Sequence, residues 1–157
     1  MLRIDGEVEL PQTFSFGDLA EIDASFQIAD MSTIDATRKG GAVQLEGLLQ
    51  RVSVLTTATY IGLHASTDDF HASIPLAAIR EKSFLIYELD GKPLELSAGG
   101  PARFYIVDHA ACHTEEIDEC ANVKFVDHIE LTAGKGFDNR PEDDEEHAQL
   151  HRDEKIE

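Results

Sequence analysis

The chain has 157 residues, the length of one domain, and 42% of them are hydrophobic, enough for a core without covalent staples. Thirty-one Asp and Glu stand against thirteen Lys and Arg, a net charge of −18, which argues against nucleic-acid backbones and anionic membranes as partners. No apolar run approaches the roughly 18 residues of a membrane span. Met1–Asp5 carries no basic-then-apolar leader, so a cytoplasmic location is expected.

In chain order, Ser15 stands before Phe16, Leu19 and Ala20 as the cap of a short helix. Leu45, Leu48, Leu49 and Val52 recur at helical spacing. Thr59–His64 and Phe84–Leu89 are short β-rich runs. Pro75 suits the first turn of a helix carrying Leu76, Ala77 and Ile79. Asp90-Gly91 signals a tight turn. In Arg103–Val107, Phe104 and Ile106 share one face and Tyr105 and Val107 the other, so both faces are expected to be covered. Val123–Leu131 reads as a fourth strand, interrupted at Asp127. These elements predict an α+β fold with a mostly antiparallel or mixed sheet and short helices. The domain is expected over residues 1–133. Residues 134–157 hold nine acids against four bases and read as an acidic, solvated tail.

Several constellations could carry chemistry. Gly99-Gly100-Pro101-Ala102-Arg103 is a shaped loop that delivers an Arg, and a guanidinium forks onto an oxyanion or phosphate. Lys124 starts the last strand, where it is either an anion contact or a solvated edge residue. Arg38-Lys39-Gly40-Gly41 holds the only adjacent basic pair, and with Arg103 and Lys124 it could make an anion pocket. His109, Cys112, His113 and Cys120 place four zinc-type ligands within twelve positions, although the spacing is no recognised finger. An acidic surface loop with two reduced thiols is the simpler reading. His147 and His151 share a helix face only if the acidic tail is helical. His64, Asp68, Asp69 and His71 could form an acid–base or metal site, with a plain Asp-Asp turn as the simpler reading.

The ordered set of segments resembles the molybdopterin-binding domain of the sulfite oxidase family. It starts with Ile4–Pro11 as an entry strand and Pro turn, and Phe14–Leu19 as a first helix. Ala42-Val43-Gln44-Leu45-Glu46-Gly47-Leu48-Leu49 is similar to the family's Gly-Val-x-Leu-x-x-Leu-Leu helix. Asp69–Leu76 follows as strand and helix, and Leu89–Leu94 resembles the Asn-Gly-x-Pro-Leu turn. Gly99–Arg103 resembles Gly-x-Pro-x-Arg, and Val123–Leu131 the Val-Lys-Trp-x-x-x-Ile strand. The resemblance implies a molybdopterin-type cofactor whose pterin and phosphate are held by Arg103 and Lys124; the residues themselves add Gly100, Arg38 and Lys39 to that set.

The departures bear on activity. The family's active members ligate molybdenum through a Cys after the strand that Phe26–Ala29 resembles, and here Asp30 follows that strand. A carboxylate is a poor substitute for a soft thiolate. The His before Gly-x-Pro-x-Arg in some members is Ala98, and Gly40 lies near the place of an aromatic residue. The expected function is therefore a molybdopterin-binding, oxidoreductase-like domain with impaired chemistry. The alternative is a binding module of the same fold, with a structural zinc in residues 109–120.

Overall fold

Leu2 and Ile4 are buried while Arg3 and Asp5 face outward, and Ile129, Leu131, Ile61 and Leu63 repeat the pattern on neighbouring segments. Alternation of this kind makes a sheet with one covered face. The computed structural model describes residues 1–107 and 122–140. Their elements in chain order are β1 (Leu2–Gly6), β2 (Gln12–Phe14), α1 (Phe16–Ala20), β3 (Gln27–Ile28), β4 (Gly41–Gln44) and α2 (Leu45–Arg51). There follow β5 (Tyr60–Ala65), β6 (Phe70–Pro75), α3 (Leu76–Ile79), β7 (Ser83–Leu89), β8 (Lys92–Pro93), β9 (Arg103–Ile106) and β10 (His128–Thr132).

The first sheet has the order β2-β1-β10-β5-β6, in which β1 and β10 are parallel and all other pairs antiparallel. The second has the order β3-β4-β7-β8, with β9 also on β7, all antiparallel. The main core joins the inner face of the first sheet to Val43, Leu85, Tyr87, Phe104 and Ile106 of the second, with Leu45, Leu48 and Leu49 of α2. The opposite face of the second sheet is also covered, by a smaller cluster of Met31, Ala42, Phe84, Ile86, Leu94 and Tyr105. The expected α+β class and mostly antiparallel pairing hold.

Local chemistry explains the short elements. The Ser15 hydroxyl accepts from the Asp18 amide and the Asp18 carboxylate accepts from the Ser15 amide, a closed capping box on α1. Asp90 and Gly91 both take positive φ, the backbone of a two-residue hairpin turn between β7 and β8. Pro75 closes β6 and stands at the N-cap of α3, one position earlier than the first-turn place expected for it.

The fourth expected strand is shorter than read. Only His128–Thr132 pairs in a ladder. Phe125 has φ 63, which breaks an extended run. The Phe125 and Val126 amides donate to the Gly99 and Ala102 carbonyls, and Val123 accepts from the Phe104 amide. Residues 122–126 are thus fastened to the loop and strand that carry Arg103.

The chain after β10 stays on the domain. The Gly136 amide donates to the Ser73 hydroxyl, and the Asp138 carboxylate accepts from the Ser73 amide. Asn139 exchanges two bonds with the His71 backbone. The expected boundary at Ala133 therefore falls just before a segment that runs along the open edge of β6. Residues 141–157 lie outside the described residues.

Candidate anion pocket on the second sheet

Arg103 and Tyr105 alternate with Phe104 on β9, so both project from the face of the second sheet that the smaller cluster covers. The loop between β3 and β4 brings Arg38 to the same place. Its guanidinium lies 5.1 Å from the Tyr105 ring centre, within cation–π range. Tyr105 donates its hydroxyl to Asp35 at 2.6 Å, and Asp35 also takes the hydroxyl and amide of Thr37. These bonds, Tyr105 first, hold the Asp35 carboxyl down to about 2.

The loop reaches the sheet because Gly40 has no side chain. Its φ is +107, and a Cβ there would collide with the Glu88 carbonyl oxygen. The Gly40 carbonyl accepts from the Met31 amide at 2.8 Å, which closes the loop on itself.

Arg38 and Arg103 are close enough for their like charges to interact. Arg38 Nε is buried without a hydrogen-bond partner. Arg103 is half-buried, and burial together with the like charge of Arg38 pushes its guanidinium below its ordinary value. No hydrogen bond or ion pair holds Arg103 among the described residues. Asp35 lies within electrostatic reach of Arg38, whereas Arg103 feels burial and the like charge of Arg38, which an added anion would relieve.

The other expected residues are Lys39, Lys124 and Gly100. Lys39 is exposed and within electrostatic reach of Asp30. Lys124 is exposed, with its ammonium 5.3 Å from the Phe125 ring centre, on the segment tied to Gly99. Gly100 is buried and its amide donates to the Glu95 carbonyl at 2.8 Å, so its part is to shape the loop. A Cβ on it would collide with the Leu94 carbonyl oxygen. The bond before Pro101 is cis.

His109, Cys112, His113, Cys120, His147 and His151 lie outside the described residues. Among the described residues, no group of three His, Cys, Asp or Glu is placed to hold a metal ion. His64 and His71 do meet, across β5 and β6, with Asp69 in the turn between them.

A family model, described as the oxidoreductase molybdopterin-binding domain, matches residues 1–138. The chain belongs to that family. No curated protein matches the chain in sequence. Among solved structures, the sulfane dehydrogenase SoxCD from Paracoccus pantotrophus shares the fold, with a TM-score of 0.62 and 18% identity. The similarity covers 85% of this chain and 38% of that one, so this molybdopterin-binding-family domain spans well under half the length of its neighbour. No helix among the described residues is long and apolar enough to cross a membrane.

Molybdopterin carries a phosphate, and the Arg38–Arg103 pair suits that end of it. The metal end fits less well. Asp30, where the resemblance expects the thiolate, is exposed and spends its carboxylate on the Ser32 amide at 2.9 Å. That bond, first, and the Lys39 charge hold the carboxyl below its ordinary value. Both cysteines of the chain lie outside the described residues.

Sequence reading missed Asp35 and Tyr105. Tyr105 had a usable signal, since it sits two positions from Arg103 on one strand face. Asp35 had none, because a tertiary bond across 70 residues gives it its place.

Proposed function

We propose that this domain binds a phosphate-bearing pterin cofactor of the molybdopterin type and is impaired in the metal-centred oxidation that such a cofactor supports. Arg38 and Arg103 hold the phosphate, and Lys39 and Lys124 add charge at the rim. The observation that carries this reading is Arg38 Nε, buried and unpartnered beside a second desolvated guanidinium. When bound with its metal, such a cofactor supplies two-electron oxygen-atom transfer. In this chain Asp30 offers a hard carboxylate where that chemistry uses a soft ligand. The chain's own work is to neutralise and orient the anion. Arg38 is steadied by the Tyr105 face, and Arg103 by the loop from Gly99 to Ala102.

The test is purification of the full chain from a host that makes molybdenum cofactor. Pterin is measured by fluorescence after oxidation, and molybdenum, tungsten and zinc are counted per chain. Near-stoichiometric pterin with molybdenum and tungsten well below one per chain is expected. Arg38→Ala and Arg103→Ala should each lower pterin occupancy about ten-fold or more, as loss of a charge-assisted phosphate contact does. Absence of pterin in the wild type would remove the binding reading. One molybdenum or tungsten per chain would overturn the argument from Asp30.

A further inference from the structure

The outer face of the first sheet carries a cross-strand row of polar side chains. Arg3 on β1 pairs with His128 on β10, His128 with His64 on β5, and His64 with His71 on β6. The three imidazoles form a run, with ring centres 5.0 Å apart at each step. They line an open cavity of about 480 Å³ with Arg3, Ser66, Asp127 and Phe137.

The protonation of this row follows from its partners. His64 Nε2 lies 3.1 Å from a Glu130 carboxylate oxygen, and His71 Nε2 lies 2.7 Å from one of Asp69. An ionised carboxylate only accepts, so both Nε2 atoms carry the hydrogen. Both Nδ1 atoms are then bare in the neutral rings. They face each other at 2.8 Å. Two lone pairs meet at that distance only with a cation between them.

The cation is a proton or a metal. Imidazole nitrogens backed by carboxylates on the opposite nitrogen are the usual preparation of metal ligands. The surroundings favour a cation of higher charge. Asp5, Glu130, Asp69 and Asp127 stand around the row, and among the described residues Arg3 is the only fixed cation lining the cavity, with its guanidinium 2.6 Å from Asp5. From the C-terminal segment, Phe137 stacks edge-on against His71, and Asp138 is already paired with Arg140.

We propose that His64 Nδ1 and His71 Nδ1 are the two protein ligands of an exchangeable divalent transition-metal site, with water completing the shell from the open cavity. Metal–nitrogen bonds of about 2.0–2.1 Å at a tetrahedral angle need the nitrogens about 3.3 Å apart, an opening of about 0.5 Å. Small ring rotations supply it. Two protein ligands are fewer than a structural zinc centre uses, so the ion is labile. The site is independent of the Arg38–Arg103 pocket.

Zinc is the probe, because it is diamagnetic. The full chain is labelled with nitrogen-15 and titrated with zinc, and the ring nitrogens of His64 and His71 are followed by NMR. This readout is blind to metal held elsewhere on the chain. Both Nδ1 signals should move together to metal-bound positions while both Nε2 atoms stay protonated. Asp69→Asn should weaken this site about 10–100-fold, the usual cost of losing such a partner. Asn accepts the left-handed backbone of that position, so this variant keeps the turn. His71→Ala should abolish the His64 response. Ring signals unmoved at saturating zinc, a proton retained on either Nδ1, or unchanged affinity in Asp69→Asn would each overturn the proposal and leave the pair sharing a proton.

Discussion

Tyr105 does two things at the anion pocket: its ring supports Arg38 and its hydroxyl binds Asp35. Tyr105→Phe separates them. The ring stays, so Arg38 keeps its support and pterin occupancy should change little. Asp35 loses its strongest partner, and its carboxyl should rise from about 2 toward the ordinary 3.8. An NMR titration of the side-chain carboxyl checks this. A carboxyl that stayed near 2 would mean the Thr37 bonds suffice alone. The two arginines were legible in the sequence because cations are scarce in an acidic chain and stand out from it. Their support was not, because it comes from residues distant in sequence. Gly100 shows the opposite error: a glycine beside an Arg suggests amides free for a ligand, whereas this amide is consumed inside the loop.

At the scale of elements, the helices are short enough to depend on their ends. A helix of one or two turns gains little from its own hydrogen bonds. The α1 helix is held by its capping box and by Leu19 in the core. Ser15→Ala should cost about 1 kcal/mol. In α2, Leu48 is fully buried, and Leu48→Ala should cost about 2–5 kcal/mol through the cavity it leaves. Denaturant unfolding of the two variants ranks them, and a larger loss at Ser15 would contradict the view that packing outweighs capping. Elements with local signals were read correctly, as at Ser15, at Leu45–Val52 and at Asp90-Gly91. Val123–Asp127 was read as strand because its apolar residues alternate. Its backbone bonds instead follow the Gly99–Phe104 segment, a tertiary preference without a local signature. The pairing of β1 with β10 was equally invisible, since it joins the two ends of the domain in parallel.

At the scale of the molecule, the question is how the open edge of β6 is closed. Unpaired strand edges invite association with other chains. Here residues 134–140 cover that edge, and their anchor is the Asp138–Arg140 pair, with side chains 9% and 8% exposed. Arg140 reaches Asp138 Oδ2 at 2.6 Å, and the Ser73 and Arg140 amides also donate to this carboxylate. Burial alone would raise the Asp138 carboxyl. The Arg140 bond and the two amides outweigh it, so the folded value lies below 3.8. The sign follows directly. Folding favours the ionised form, so the contribution is complete above pH 3.8 and is lost as pH falls through the depressed folded value. Asp138→Asn keeps the shape and removes the charge that Arg140 meets at 2.6 Å. At neutral pH this should cost about 3–5 kcal/mol, as the loss of one partner of a buried pair does. Denaturant unfolding of wild type and Asp138→Asn across an acid series isolates the effect, because every other carboxylate titrates alike in both. The difference should be constant at neutral pH and narrow below pH 3.8, as wild-type Asp138 takes up its proton. A difference that stayed constant to the lowest pH at which both fold would place the stabilisation in packing and not in the charge pair.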